Sequence, residues 1–369
     1  MILQVNPKIS VVCVTYNHEK FIAKFMDSLF RQTEQDFELI ILDDCSTDNN
    51  FKELEKFSDP RIRLLKHDYN KGPNAGLNFA IPLARGEYIT LFASDDLFME
   101  HHLKDVVDFF DSHPDIDIRY TSLIPIDENG DVIEEYKKYF IAKSRSRFEL
   151  LHHIFMKGNC ILSPGIAVRK NVLLKALPLP VSYVQHQDTA MHLRFLLNGN
   201  SMYFEEKPSV LYRSHSSSLS SNTNANFLRW AEETQLMDYF LKIDDFALLK
   251  QIFPKELKDI QSADKKFFPF ILGKLALSSD LASKKEWGIH NIMNSFFTTN
   301  QFDELNRKYG FNFKQYLQLT NEIKNIEADD RYMKLKKKCM KYKKLVRILT
   351  IVLLIFAVSL FLSVSNFSF

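Results

Sequence analysis

Along the first third of the chain, short apolar runs rich in β-branched residues alternate with helical stripes. Ile9–Thr15 (ISVVCVT) is apolar at nearly every position, the pattern of a strand buried on both faces. Phe21–Phe30 follows, with Phe21, Phe25, Ser28 and Leu29 on one helical stripe. Phe37–Leu42 (FELIIL) reads as a second strand, ended by the turn-forming run DDCSTDNN. Arg61–Leu65 reads as a short third strand and Asn74–Ala84 as a helix. Tyr88–Phe92 (YITLF) makes a fourth strand that runs into Ala93-Ser94-Asp95-Asp96, and His101–Ser112 is an amphipathic helix stopped before Pro114. Strands and helices alternating at this spacing predict βαβ units: an α/β fold with a Rossmann-like, mostly parallel sheet flanked by helices.

Further on the pattern changes. From about 115 to 215, strand and helix signals mix. Asp127-Glu128-Asn129-Gly130 predicts a hairpin turn between IRYTSLIPI and DVIEEY, Ile161–Val168 a strand, and Thr189–Leu197 a helix. From about 225 to 330, Phe, Leu and Lys recur at helical spacing with few strand signals, which predicts a helical extension. The tail Ile348–Val364 (ILTIVLLIFAVSLFLSV) carries no charge on any side. About 17 apolar residues is the lower limit for crossing the hydrocarbon core, so the tail predicts a short, single C-terminal transmembrane helix. A buried helix of a soluble domain is the alternative. Lys334–Arg347 (KLKKKCMKYKKLVR) contains no acid. The excess of cations before the span predicts a cytosolic catalytic part at the cytoplasmic face of the inner (plasma) membrane, with membrane lipids as partners. The first residues, MILQVNPKIS, lack the pattern of a signal peptide. The expected domains are 1–220, in halves of about 1–120 and 121–220, then 221–333, a basic segment 334–347 and an anchor 348–369.

Composition adds exclusions. The 369 residues are 46% hydrophobic and 25% charged, enough for a sizeable core. A net charge of +2 offers no global electrostatic case for nucleic acid as a partner. Cys13, Cys45, Cys160 and Cys339 stand far apart with no CxxC pair, which predicts neither a zinc site nor a disulfide framework and fits a reducing compartment.

Candidate chemistry lies at the strand exits, because ligands of parallel α/β sheets bind beyond the carboxyl ends of the strands. The exits offer Thr15-Tyr16-Asn17-His18, Asp43-Asp44-Cys45-Ser46-Thr47-Asp48 and Ser94-Asp95-Asp96. One DDxSxD run alone is ordinarily a solvated turn that caps a helix. Aromatic, acidic and hydroxyl groups at three exits in order predict a shared crevice. The adjacent pairs His101-His102 and His152-His153 point to different helical faces and make no chelate. The loop Gly72–Gly76 (GPNAG) lacks the Lys-Ser/Thr of a phosphate-binding P-loop.

Taken in order, VVCVTYNHEKFI, LIILDDCSTDNN, NKGPNAGLNFAI and GEYITLFASDDLF resemble the family 2 glycosyltransferases of the GT-A fold. IDENGDVI, SPGIAVRK, HQDTAMHLRFLLNG and LYRSHSSSLS continue the likeness, which covers residues of about 8 to 220. The resemblance implies an inverting transferase that moves sugar from a nucleotide-sugar donor, UDP being the family's commonest nucleotide, to a glycan or lipid-linked acceptor. Bacterial cell-surface polysaccharide or glycolipid assembly is the implied setting, with Mn²⁺ or Mg²⁺ as cofactor. It implies that Tyr16 stacks on the base, that Asp44 and its neighbour Asp43 bond base or ribose, and that Lys71 and Asn78 contribute to donor binding. Asp95 would meet the donor through the metal, Asp96 and His215 would support the metal, and Asp188 would be the catalytic base. Three positions depart from the family pattern: Ala93 and Gln187 stand where acids are usual, and Leu77 where Arg is usual. Asp188 could instead, or as well, cap the helix from Thr189, and Arg213 could be an ion-pair partner. A sugar-phosphate nucleotidyltransferase is an alternative on the same chassis, but would carry a Gly-rich basic loop where this chain has TYNHE. An inactive membrane-tethered scaffold is the other, resting on the three departures.

Overall fold

The computed structural model describes residues 6–216, 218–219 and 226–319. The expected basic segment 334–347 and anchor 348–369 lie outside the described residues. Among the described residues no helix is long and apolar enough to cross a membrane.

The core is an eight-stranded mixed sheet in the order β3-β2-β1-β4-β7-β6-β8-β5. Its strands are β1 (Ile9–Thr15), β2 (Phe37–Asp43), β3 (Ile62–Lys66), β4 (Tyr88–Ala93), β5 (Leu97–Phe98), β6 (Ile118–Ile126), β7 (Ala167–Arg169) and β8 (Met202–Arg213). β3, β2, β1 and β4 are parallel, with Ile9 opposite both Phe37 and Tyr88. β7 runs antiparallel to β4 and β6, β8 parallel to β6, and β5 antiparallel to β8.

Helices cover both faces, which is why β1 and β2 are apolar throughout. On one face Ile9, Val11, Cys13, Leu39 and Ile41 form one cluster with residues of α1 (Ile22–Phe30) and α4 (His102–Ser112). Between these helices in sequence come α2 (Asn50–Leu54) and α3 (Pro73–Ala80). α3 packs on the other face with Gly76 against the sheet: a Cβ there would lie 2.8 Å from atoms of Val14 and Leu42, so only glycine lets the helix sit so close.

Two expected strands are interrupted. Beyond the Asp127–Gly130 turn only the bridge Ile126↔Val132 forms, and Glu134–Tyr139 (EEYKKY) becomes a 3₁₀ turn that buries nothing, because it has no apolar alternation. In the expected strand 161–168 only Ala167 onward pairs, since Pro164 cannot donate to a ladder and Gly165 is in the left-handed region at φ 73°.

The chain divides into two compact units, Met1–Phe268 and Pro269–Phe369. The first also contains α5 (Arg147–Lys157), α6 (Lys170–Lys175), α7 (Gln187–Asn198), α8 (Asn226–Leu236) and α9 (Phe246–Ile252). This boundary cuts through the helical extension expected from residue 221, because its first helices have partners in the sheet-bearing unit. Phe155 of α5 meets Phe240 and Phe253 edge-on, and Arg229 of α8 donates to Gln185. The second unit holds α11 (Ala282–Asn294), α12 (Thr299–Tyr309) and all of α10 (Phe268–Ala276) but its first residue. There Gly273 and Gly288 bring α10 and α11 into backbone contact, and Phe270, Phe302 and Phe296 surround Phe311.

Candidate active site

The first two strand exits are wired together by their own polar groups. Asn17 adopts φ 56°, a conformation Asn tolerates better than most residues. Its N–H donates to Ser46 Oγ at 2.9 Å and its Oδ1 accepts from Thr47 N at 2.8 Å. The fully buried Asp43 accepts from Ser46 N at 2.9 Å and from Asn50 Nδ2 at 2.8 Å. Asp44, also buried, accepts from His67 Nδ1 at 2.7 Å, Lys71 N at 2.9 Å and Gly72 N at 2.7 Å. The two carboxylates therefore brace the loops. Tyr16 is left 40% exposed beside them, and the exposed Lys71 holds its ammonium over the Tyr69 ring. Asn78, expected at the donor, has both ends of its amide committed to Leu179, donating to the carbonyl at 2.8 Å and accepting from the N–H at 2.6 Å. This pair of hydrogen bonds ties α3 to the 179–180 segment.

At the third exit, His18, Asp95 and His215 come together, their ligand atoms all within 4.8 Å of one another. His215 Nε2 lies 2.9 Å from Asp95 Oδ2. His18 Nδ1 lies 2.7 Å from Ser94 Oγ, and Ser94 in turn donates to Thr15 Oγ1 at 2.7 Å. Since Ser94 has one proton and gives it to Thr15, it accepts from His18, whose Nε2 then carries a bare lone pair. That is the tautomer a metal ligand needs, with the other ring nitrogen held by a fixed partner. Burial, joined by the neighbouring His215, holds His18 below its ordinary value and so neutral. For Asp95, burial opposes ionisation, but the His215 hydrogen bond and the two imidazoles outweigh it and lower its pKa. Two imidazoles and an ionised carboxylate from three separate exits fit a divalent cation.

Asp96, expected beside that cation, is turned away from it. It is buried, its Oδ1 accepts from Arg213 N at 2.8 Å, and burial together with Asp95 pushes its pKa well up. In the turn after β4 only Asp95 of the two joins His18 and His215, while Asp96 is committed to Arg213 N. Ala93, where an acid is usual, is exposed at the end of β4. His18 stands in the cluster as a third group able to ligate. It stands in the quoted strand-exit motif, yet nothing local marks it as a ligand. Among the described residues the Arg213 guanidinium bonds no carboxylate; it donates to the carbonyls of Asp95, Asp127 and Glu128 at 2.8, 2.9 and 3.0 Å. This clamp fixes the end of β8 and with it the approach to His215.

Asp188 reaches the same sheet edge by another route. Thr90 pairs with Ala167 in antiparallel register, and Leu91 N donates to Ile166 O at 3.0 Å. Residues 163–165 thus lie beyond the carboxyl end of β4, the edge from which Ser94 and Asp95 emerge. Ser163 Oγ donates there to Asp188 Oδ2 at 2.8 Å, while Asp188 Oδ1 accepts from Thr189 N at 2.7 Å. Asp188 is half-buried and is not a helix cap: α7 starts at Gln187, with His186 as its N-cap. The approach to α7 is held by Glu232, a buried side chain of α8. Its carboxylate accepts from three successive N–H groups, Val184 at 2.9 Å and Gln185 and His186 at 2.8 Å each. His186 Nε2 and Gln187 Oε1, on either side of the helix start, are buried with no hydrogen-bond partner among the described residues. Sequence reasoning had not found Glu232, Ser163 or His186, whose partners lie tens of residues away in sequence.

Residues 10–175 match the family described as Glycosyl transferase family 2. The chain is 29% identical over 211 residues to an uncharacterized glycosyltransferase of Methanocaldococcus jannaschii, a match spanning 56% of this chain and 71% of that protein. It is 25% identical over 228 residues to the UDP-Glc:alpha-D-GlcNAc-diphosphoundecaprenol beta-1,3-glucosyltransferase WfaP of Escherichia coli, spanning 60% of this chain and 83% of that one. Among solved structures it is similar in fold to Staphylococcus aureus TarS 1–349 in complex with UDP-GlcNAc, with TM-score 0.56 and 19% identity over 83% of this chain and 93% of that chain.

Proposed function

Residues 10–175 form a family 2 glycosyltransferase domain and the chain is a glycosyltransferase; on that premise we propose that it transfers a sugar from UDP to an acceptor hydroxyl with inversion, Asp188 acting as base. The convergence of His18, Asp95 and His215 within 4.8 Å, on the sheet edge that also carries Asp188, supports this reading most directly.

In this reading Tyr16 offers its exposed ring to the uracil. Asp43 and Asp44 shape the cradle by holding the loops around it, and Lys71 adds a cation beside the diphosphate. His18, Asp95 and His215 would hold a divalent cation, and the two imidazole nitrogens favour Mn²⁺ over Mg²⁺, which prefers oxygen ligands. When bound, such a cation supplies a Lewis acid that offsets the charge growing on the departing UDP. Asp188 takes the proton of the acceptor hydroxyl as the new C–O bond forms at the anomeric carbon and the bond to the diphosphate breaks. UDP is chosen because the WfaP name and the TarS complex carry UDP-Glc and UDP-GlcNAc. A glycan or a diphosphate-linked lipid is the proposed acceptor, on the same ground of relatedness to WfaP.

The test is release of UDP from a panel of UDP-sugars with acceptor and Mn²⁺ present. Asp188→Asn should lower turnover on the order of 10²-fold or more while UDP affinity stays unchanged. Near-normal turnover in that variant would end the assignment. Removal of metal by EDTA should abolish transfer, and Mn²⁺ should restore it.

The proposal extends to attachment. The basic run Lys334–Arg347 followed by the uncharged Ile348–Val364 supports anchoring at the cytoplasmic membrane face. The full-length chain should stay with membranes through carbonate and high-salt washes, whereas release by salt alone would leave only electrostatic attachment.

A further inference from the structure

Behind Asp188 lie polar side chains that the chemistry above does not use. Ser163 Oγ is 2.8 Å from Asp188 Oδ2 and 2.8 Å from His192 Nε2, and His192 Nδ1 is 2.9 Å from the Tyr120 hydroxyl. Tyr120 on β6 and His192 on α7 are both fully buried. His192 follows Asp188 by four residues, so the two side chains leave the same face of the helix. Ser163 is brought to them by the Pro164-Gly165 turn. Gly165 is the residue that allows this turn: it stands at φ 73°, and a Cβ would lie 2.5 Å from Val210.

The direction of each proton follows from what each group can donate. An ionised carboxylate only accepts, so Ser163 gives its single proton to Asp188. Ser163 Oγ must then accept from His192, and the hydrogen of that ring sits on Nε2. Burial holds His192 down to about 4, so the ring is neutral near pH 7 and its Nδ1 is bare. Nδ1 therefore accepts from the Tyr120 hydroxyl, which burial keeps protonated by raising its pKa well above the phenol range. Reversing any one bond would leave two hydrogens or none between a pair of atoms. Three donors stand in series, all pointing toward one oxygen of Asp188, and hydrogen bonds in series polarise one another.

We propose that Ser163, His192 and Tyr120 are positioning residues for the base, a directed donor chain that holds the Asp188 carboxylate in the orientation from which it meets the acceptor hydroxyl. The inference rests on the reading of Asp188 as base. A chain serving only to fill the core could be replaced by apolar groups of the same volume without loss of turnover, since exchanging both partners of a buried hydrogen bond for apolar groups is nearly neutral even for stability. A chain serving the base would not.

The experiment is a kinetic series on the full chain with a double-mutant cycle. Ser163→Ala and His192→Phe remove links without emptying the space. Ser163→Ala should lower kcat by roughly 10- to 100-fold, the worth of one hydrogen bond to a charged group, and His192→Phe, which removes the neutral bond behind it, by roughly 5-fold, with KM for the UDP-sugar and affinity for UDP within about two-fold. Ser163→Thr and His192→Gln, which keep a donor and an acceptor, should restore most of the loss. In an Asp188→Asn background Ser163→Ala should cost nothing further. If His192→Phe does not fold, Ser163→Ala and the cycle decide alone, since that change removes one oxygen. Unchanged kcat in Ser163→Ala beside an inactive Asp188→Asn overturns this inference and leaves the base assignment standing. An equal loss in both backgrounds overturns it too. An active Asp188→Asn overturns the base assignment, and the inference with it.

Discussion

Replacing Glu232 by Gln tests how far the approach to the base helix depends on one buried carboxylate. In the structure that carboxylate takes three backbone N–H groups, from Val184, Gln185 and His186, at 2.9, 2.8 and 2.8 Å. Gln keeps the size but has one oxygen and one NH₂ group. If the oxygen stays with Gln185 and His186, the NH₂ meets the Val184 N–H, donor against donor. One hydrogen bond is lost outright, and the other two fall from charge-assisted to neutral strength. A bond to a charged group is worth about 1.5–3 kcal/mol and a neutral one about 1 kcal/mol, so even near the low end of the charged range the loss sums to about 3 kcal/mol. Because it falls on one loop, it should appear as easier local opening. A change of about 3 kcal/mol is roughly 10²-fold in the opening equilibrium, so amides 184–186 should exchange with deuterium about 10²-fold faster. Turnover should fall with it, as Asp188 is the second residue of the helix that this loop leads into. Glu232→Asp, which keeps the charge but withdraws it by one methylene, should be intermediate. Unaltered exchange across 184–186 together with wild-type turnover would refute the reasoning and reduce Glu232 to a packing contact.

Other consequences follow from the same geometry. Mn²⁺ binding, followed by calorimetry without donor, should weaken more than ten-fold in Asp95→Asn and in His18→Ala but stay within a few-fold in Asp96→Asn, whose amide oxygen can still accept from Arg213 N; a loss in Asp96→Asn equal to that in Asp95→Asn would return Asp96 to the metal. Acid should destabilise the first unit: burial holds His102 down to about 3 and His192 to about 4, against about 6.5 unfolded, so the unfolded state binds more protons below pH 6.5. Their stabilisation is complete above pH 6.5 and lost as pH falls toward 4 and then 3, each contributing a slope of up to about 1.4 kcal/mol per pH unit. Urea midpoints between pH 6.5 and 5 should show this, and His102→Gln should flatten it; a flat wild-type profile there would contradict the burial argument. Gly86→Ala should cost about 1–3 kcal/mol in the same assay, because a Cβ there lies 2.6 Å from Ser10 N and 2.8 Å from Ile9 C, backbone atoms of a central strand that cannot retreat.

The sequence by itself was enough for the four parallel strands and for the helices after β1, β3 and β4, since each is declared by a local apolar period and a turn residue at its end; the short α2 after DDCSTDNN was not legible. It also marked the loops after β1, β2 and β4 as the place for chemistry, because ligands of parallel α/β sheets bind beyond the carboxyl ends of the strands. Other features required the folded chain. Asp95 and Asp96 are indistinguishable as letters, yet one faces His18 and His215 and the other caps Arg213 N; that choice belongs to the direction in which a strand ends. Asn78 was legible as a polar residue of a donor-side helix, but the bonds its amide makes to Leu179, 101 residues away, were not. β8 and the brief β5 and β7 have no strong period of their own; β6 offers β8 an edge, β8 offers one to β5, and β7 is held between β4 and β6. Glu232, Ser163, His192 and Tyr120 gather around Asp188 from four segments, and no local pattern encodes such a meeting. Periodicity records which side of an element is buried. Hydrogen-bond partners between distant segments are set by where the packed sheet brings their ends, and that is decided only when the whole unit folds.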